Sequence, residues 1–150
     1  MGTSGTSHWS AKAAAELSGL SIHMLNYLER AHVLQAPSPV EGTRPHKGLR
    51  RGYMFGDIVM MRALCDLTRR GVSVVRLRPA LQALRPEHAR ITEVDIPQRY
   101  LVASGEEATF SAPDTLSRDL DQLGPAAIVL DIARLRQEVL DRISGLKSTC

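Results

Sequence analysis

The stretch LSIHMLNYLERAHVL, residues 20–34, decides the fold of the first half of this 150-residue chain. Its apolar residues recur every three or four positions, which predicts a helix with one buried face. Ser21 stands where its hydroxyl can accept a hydrogen bond from an unpaired amide of the first turn. The predicted buried residues are Ile22, Leu25, Leu28, Ala31 and Leu34, and the predicted exposed residues are His23, Asn26, Tyr27 and Arg30.

A second helix is predicted directly before this one. Residues 10–18, SAKAAAELS, consist mostly of strong helix formers and begin with a serine that can cap the helix. Gly19 follows, and a glycine at this position permits a tight turn. Two short helices joined in this way form either a helix-turn-helix unit, whose second helix enters the DNA major groove, or a helical hairpin in an ordinary core.

Four short strings occur in a fixed order along the first half of the chain. They are LNYLE at 25–29, RGY at 51–53, DIV at 57–59 and GVS at 71–73. With this order and spacing, residues 9–85 resemble the winged helix-turn-helix domain of the MerR family, the mercury-resistance-type bacterial transcription regulators. The chain departs from the family at two of these positions, where Asn26 and Leu28 replace the usual arginine and tyrosine, and at His32, which replaces the usual glycine that closes the helix.

The resemblance implies a transcription regulator that binds duplex DNA. Such a protein acts as a homodimer on an inverted repeat in a promoter, and it bends or untwists the DNA so that RNA polymerase contacts change. The residues expected to read base edges are Ile22, His23 and Asn26. Asparagine can bond adenine through two hydrogen bonds, so an A·T pair is expected opposite Asn26.

A basic loop between the two halves of the DNA-binding domain is the expected wing. Residues 35–51, QAPSPVEGTRPHKGLRR, contain three prolines and two glycines, which exclude a buried helix. In a winged helix this segment forms a two-stranded ribbon along the sugar-phosphate backbone. The residues expected to hold phosphates are Tyr27, Arg44, His46, Lys47, Arg50, Arg51 and Tyr53.

The charge of the chain is divided unevenly between its two parts. Residues 1–90 contain 13 Lys and Arg against 6 Asp and Glu, hence +7, whereas residues 91–150 contain 6 against 10, hence −4. A positive field on the part that carries the DNA-binding strings is typical of a polyanion partner. The aromatic content of 4% argues against stacking platforms for single strands, so duplex DNA is the expected partner.

Two further helices complete the predicted DNA-binding domain. Residues 55–70 have helical spacing, with Ile58, Met61, Leu64, Cys65 and Thr68 predicted on the buried face. Gly71 ends this helix, and Ser73 caps another that runs to about residue 84. Pro79 lies inside it and predicts a kink, because proline removes an amide donor.

The pattern changes after Pro86, where the long dimer helix typical of the family is interrupted. Residues 100–103 and 108–110 predict a β-hairpin, residues 126–130 a third strand, and residues 115–123 a short helix or turn. A final helix at 131–146 has an apolar stripe that covers this sheet, forms half of a dimer seam, or does both. The stripe consists of Ile132, Leu135, Val139, Ile143 and Leu146.

These predictions define a mainly α fold with a small β part. Residues 1–8 are expected to be a disordered lead-in, residues 9–86 a winged helix-turn-helix domain, and residues 91–150 a small α+β domain for dimerisation or interaction. The last domain leaves an alternative function open. In that alternative the protein is an antitoxin or adaptor whose C-terminal domain binds a partner protein, and DNA binding serves only autoregulation.

An enzyme is not expected from this sequence. All five histidines lie in residues 1–90, whereas the acidic residues concentrate beyond them, so no catalytic or metal-binding cluster and no cofactor is predicted. The two cysteines, Cys65 and Cys150, have no spacing that suggests zinc or a disulfide. No apolar run approaches membrane-spanning length, and a cytoplasmic protein at the bacterial nucleoid is expected.

Overall fold

The fold is described from a computed structural model that covers residues 9–34, 38–39, 51–84 and 99–148. The predicted lead-in, residues 1–8, lies outside the described residues. Within the described residues the chain forms six helices, one three-stranded antiparallel sheet and one short pair of strands. The fold is therefore mixed α/β, with four helices and the short strand pair in the first half and the three-stranded sheet with two helices in the second.

The first two helices begin at the predicted serine caps, but α2 ends at Arg30 and not at residue 34 as predicted. Helix α1 is Ala11–Ser18 and helix α2 is Ile22–Arg30. The amide of Ala13 donates to the hydroxyl of Ser10 at 3.1 Å, so the predicted serine cap of α1 is confirmed. Strands β1, Ser38–Pro39, and β2, Arg51–Gly52, then pair in antiparallel fashion.

Helix α3, Phe55–Arg69, is the central helix of the core. The predicted buried residues Ile58, Met61, Leu64 and Cys65 are buried, but Thr68 is exposed and its hydroxyl donates to the Leu64 carbonyl at 2.9 Å. Further residues on other faces of the helix are also buried, among them Val59, Met60, Ala63 and Leu67. A helix buried almost all round is packed by neighbours on several sides, which a single apolar stripe does not predict.

The predicted helix from Ser73 to residue 84 is wrong in its first part. Residues 74–77 form turns, and helix α4 is only Arg78–Ala83. Pro79 occupies the first turn of α4, where its missing amide has no intrahelical partner in any case. The chain therefore starts a new helix at the proline and does not bend an existing one.

The second half forms the predicted sheet. Strands β3, Tyr100–Ser104, and β4, Glu107–Ser111, make the hairpin around Gly105, and strand β5 is Ile128–Asp131. Both neighbours of β3 are antiparallel, which gives the order β4-β3-β5. Helix α5, Leu116–Leu123, connects β4 to β5, so the segment left open between helix and turn is a helix.

The sheet has one face on the main core. Leu101 lies between Phe110 and Leu130 across the three strands, and all three side chains belong to the same buried cluster as α1 and α3. Val102 alternates to the opposite face and is also buried. The sheet is thus a middle layer, and its strands must hold this register because a shift by one residue would exchange the two faces.

Helix α6, Ile132–Ser148, packs against α1 and α3. Ile132, Leu135 and Val139 are buried, so these three side chains pack in the core of a single chain and are not exposed to a dimer partner. Ile143 is half-buried against the same core, and the side chain of Leu146 lies outside the described residues. The homodimer itself stays a prediction.

Arg62 of α3 is a charged side chain inside this helical contact. Its side chain is 11% exposed, and its Nη2 atom lies 3.1 Å from Oε1 of Glu138 on α6 and 3.7 Å from Oδ1 of Asp66. Nη1 also donates to the carbonyl of Ser18 at the end of α1, at 3.5 Å. A buried cation needs such partners because burial removes its hydration.

We expect the Arg62→Met substitution to lower the free energy of unfolding by about 2 kcal/mol, because it removes the guanidinium and leaves Glu138 partly buried without this partner. The matched control is Arg134→Met. Arg134 is 76% exposed, yet its Nε atom lies 3.3 Å from the other oxygen of Glu138. An exposed pair contributes little, so the control should lose less than about 0.5 kcal/mol. Urea unfolding measures both values, and equal losses would contradict the role given to Arg62.

Candidate nucleic-acid interface

The start of α2 is fixed by a tight turn after α1. Gly19 has φ of +90°, and the amide of Leu20 donates to the hydroxyl of Ser18 at 3.3 Å. The hydroxyl of Ser21 accepts a hydrogen bond from the amide of Met24 at 3.0 Å, as the sequence predicts. The direction in which α2 leaves α1 is therefore set by hydrogen bonds on both sides of the glycine.

Two arginines from helices that are distant in sequence donate hydrogen bonds to carbonyls at the carboxyl end of α1. Besides Arg62, the Nη1 atom of Arg142 on α6 donates to the carbonyl of Leu17 at 3.0 Å. Cations at a helix carboxyl end stabilise the partial negative charge of the unpaired carbonyls. A Cβ atom at Gly19 would lie 3.1 Å from Nη1 of Arg62 and 3.4 Å from Sγ of Cys65, so the end of the Arg62 side chain would have to shift by a few tenths of an ångström.

The end of α2 closes with a left-handed residue that is not glycine. His32 has φ of +63°, its amide donates to the Glu29 carbonyl at 3.1 Å, and the amide of Val33 donates to the Leu28 carbonyl at 2.9 Å. These two bonds form a Schellman motif, in which glycine is the usual residue. Histidine here adopts the left-handed conformation that glycine usually takes, at a cost in backbone strain.

Helix α4 holds the residues that follow α2. Arg78 donates from Nη1 to the carbonyl of Ala31 at 3.1 Å, and Gln82 donates from Nε2 to the carbonyl of His32 at 2.9 Å. Neither contact is predicted from the sequence. Neither bond leaves a local signal, because each joins residues about 50 positions apart in the chain.

Tyr53 corrects a predicted phosphate contact. The residue forms a β-bridge with Trp9 and is only 2% exposed. Its hydroxyl donates to Oε2 of Glu29 on α2. Tyr53 therefore attaches α2 to the rest of the domain through this hydrogen bond. Its hydroxyl does not face a phosphate, because the side chain is buried.

The outward side of α2 carries the predicted base-reading and phosphate-binding residues. Its exposed residues, which we call the exposed face of α2, are Ile22, His23, Tyr27 and Arg30. Asn26 is half-buried between them and the core. Ile22 was predicted both on the buried stripe and among the base readers, and the first of these is wrong because its side chain is 38% exposed.

Only residues 38–39 and 51 of the predicted wing segment lie within the described residues. The two strands pair Ser38 with Gly52 and Pro39 with Arg51. Of the predicted phosphate-binding residues, Arg44, His46, Lys47 and Arg50 lie outside the described residues, and so does the side chain of Arg51. Their contacts with a nucleic acid remain predictions.

Comparison with known proteins gives no family for this chain. Neither the models of known protein families nor the curated proteins include one that matches it. The similarity to the MerR family therefore rests on the strings quoted above. Among the described residues, no helix is long and apolar enough to cross a membrane, and no three His, Cys, Asp or Glu side chains are grouped as a metal site.

The Gly19→Ala substitution should lower the free energy of unfolding by about 2 kcal/mol. Alanine is strained in the left-handed conformation, and its Cβ atom would also displace the end of the Arg62 side chain. Gly71→Ala is the matched control. Gly71 closes α3 with φ of +85°, but a Cβ atom there would meet nothing within 4 Å. The control should lose only the conformational part, about 1 kcal/mol. Chemical denaturation compares the two, and a loss in Gly19→Ala no larger than in the control would argue against the close approach of Arg62.

Proposed function

We propose that this protein is a sequence-specific transcription regulator that binds duplex DNA through a winged helix-turn-helix domain and acts as a homodimer on an inverted repeat. The observation that carries the proposal is the exposed face of α2. Leu25 and Leu28 attach the helix to the core with no exposed surface, while Ile22, His23, Tyr27 and Arg30 point away from it. A helix held in this way can enter the major groove without distorting the core.

The ends of α2 support the same proposal. Ser21 caps its start, and Arg78 and Gln82 hold the carbonyls that follow its end. Base reading needs side chains that are placed accurately, because hydrogen bonds weaken steeply with distance and angle. In the proposal His23 and Ile22 reach base edges from the first turn, and Asn26, one turn later, bonds an adenine.

The wing and the charge of the chain provide the phosphate contacts of the proposal. Strands β1 and β2 bracket residues 40–50, which include four of the predicted phosphate-binding side chains. The net charge of +7 in residues 1–90 attracts a polyanion. Phosphate contacts fix the position of the protein on the duplex, and base contacts then select the sequence.

Selection of binding sites from a random duplex library tests the proposal directly. The full chain should enrich an inverted repeat, and binding to that site should weaken steeply with salt because counterions return to the DNA. Enrichment without symmetry would argue against the dimer. Failure to enrich any sequence would overturn the proposal and favour the alternative of a protein-interaction module.

The Arg30→Ala substitution provides a test of the exposed face itself. If Arg30 meets a phosphate, its removal should reduce the slope of log affinity against log salt by about one unit. Arg118→Ala is the control, because Arg118 is a similarly exposed arginine on α5, in the acidic part of the chain. The control should leave the slope unchanged. An equal slope in all three proteins would remove Arg30 from the interface.

A further inference from the structure

Three large hydrophobic side chains are exposed among the described residues, and two of them belong to the exposed face of α2. They are Ile22 at 38%, Tyr27 at 45% and Met54 at 48% exposed. Tyr27 carries a hydroxyl that suits a polar surface, but Ile22 has no polar atom in its side chain. The helix does not need Ile22 for its attachment, since Leu25 and Leu28 are fully buried.

We infer that Ile22 contacts the C5 methyl group of a thymine in the major groove and thereby specifies an A·T pair at one position of each half-site. The inference rests on the proposed function and names one feature of its ligand. The major-groove edges of the bases present hydrogen-bond donors, acceptors and a single apolar group, which is the thymine methyl. An aliphatic side chain can distinguish bases only through that group.

The position of Ile22 on the helix fits this contact. It is the first residue of α2, and residues near the amino end of a recognition helix are those that reach base edges. With about 3.6 residues per turn, Ile22 and Asn26 lie one turn apart on the same side. An asparagine that bonds adenine and an isoleucine that meets a thymine methyl would therefore read an A·T-rich step from one side of the helix.

The surroundings of Ile22 favour DNA over a protein partner. The exposed face also carries His23 and Arg30, which can meet base edges or phosphates and so suit a polyanionic partner. The only carboxylate of α2 belongs to Glu29, which is half-buried and accepts a hydrogen bond from the Tyr53 hydroxyl. The exposed face is thus polar and cationic around a single aliphatic group, which is complementary to a phosphate-lined groove with thymine methyls at its floor.

The experiment uses the site enriched from the random library and the full chain. Each thymine of one half-site is replaced in turn by deoxyuridine, which removes only the C5 methyl and keeps every hydrogen-bonding group. At one thymine the affinity should fall about three- to five-fold, the loss expected for leaving one methyl group uncovered. The other thymines should show changes below about two-fold.

The protein variants assign that effect to a side chain. In Ile22→Ala the same deoxyuridine replacement should have no further effect, because the partner of the methyl is already gone. The control Met54→Ala removes another exposed apolar side chain, which lies outside α2, and should keep the full deoxyuridine effect. Both positions are exposed, so thermal unfolding should be unchanged, and the salt slope of Ile22→Ala should equal that of the unsubstituted chain because no charge is removed.

The possible results separate this inference from the proposed function. A deoxyuridine effect at one thymine that disappears in Ile22→Ala supports the inference. An enriched site at which no replacement weakens binding, or at which the effect persists in Ile22→Ala, overturns the inference and leaves the DNA-binding function standing. A library from which no sequence is enriched overturns the proposed function and the inference together.

Discussion

The pairing of buried Arg62 is the constraint on which the arrangement of the helices depends. Its guanidinium lies among Glu138 of α6, Asp66 of α3 itself and the Ser18 carbonyl of α1. A buried cation is tolerated only with such partners, so the three helices must come together in one geometry to satisfy it. Hydrophobic burial drives them together, but it is non-directional, and the charged contact selects the way in which they meet.

The same constraint links the second half of the chain to the turn before α2. Arg62 and Arg142 both approach the carboxyl end of α1, and Arg142 belongs to α6. Gly19 lies where they converge, and glycine is favoured there because a φ of +90° strains other residues and because a Cβ atom would press against the Arg62 guanidinium. The orientation of α2 is thus fixed by residues that lie more than 40 positions away in sequence, in addition to the caps of its own ends.

Much of the local structure could be predicted from the sequence, because its signals act over a few residues. Serine caps, the glycines after α1 and α3 and the alternation in the hairpin all depend on neighbours within one or two turns. The role of Tyr53 and the clamp by Gln82 could not be predicted, since each depends on a partner brought close only by folding. Ile22 shows the same limit: it keeps the helical period, yet the neighbours of α2 leave it uncovered.

The burial of the α6 stripe changes how a dimer can be built. A dimer seam of Ile132, Leu135 and Val139 would need these side chains at the surface, but they are buried within one chain against α1, α3 and the sheet. Exposing them would cost the hydrophobic free energy that holds α6, and with it the Arg62 contact. The proposed homodimer on an inverted repeat must therefore use other side chains. The surface that sets the distance between its two α2 helices must leave the core of each copy intact.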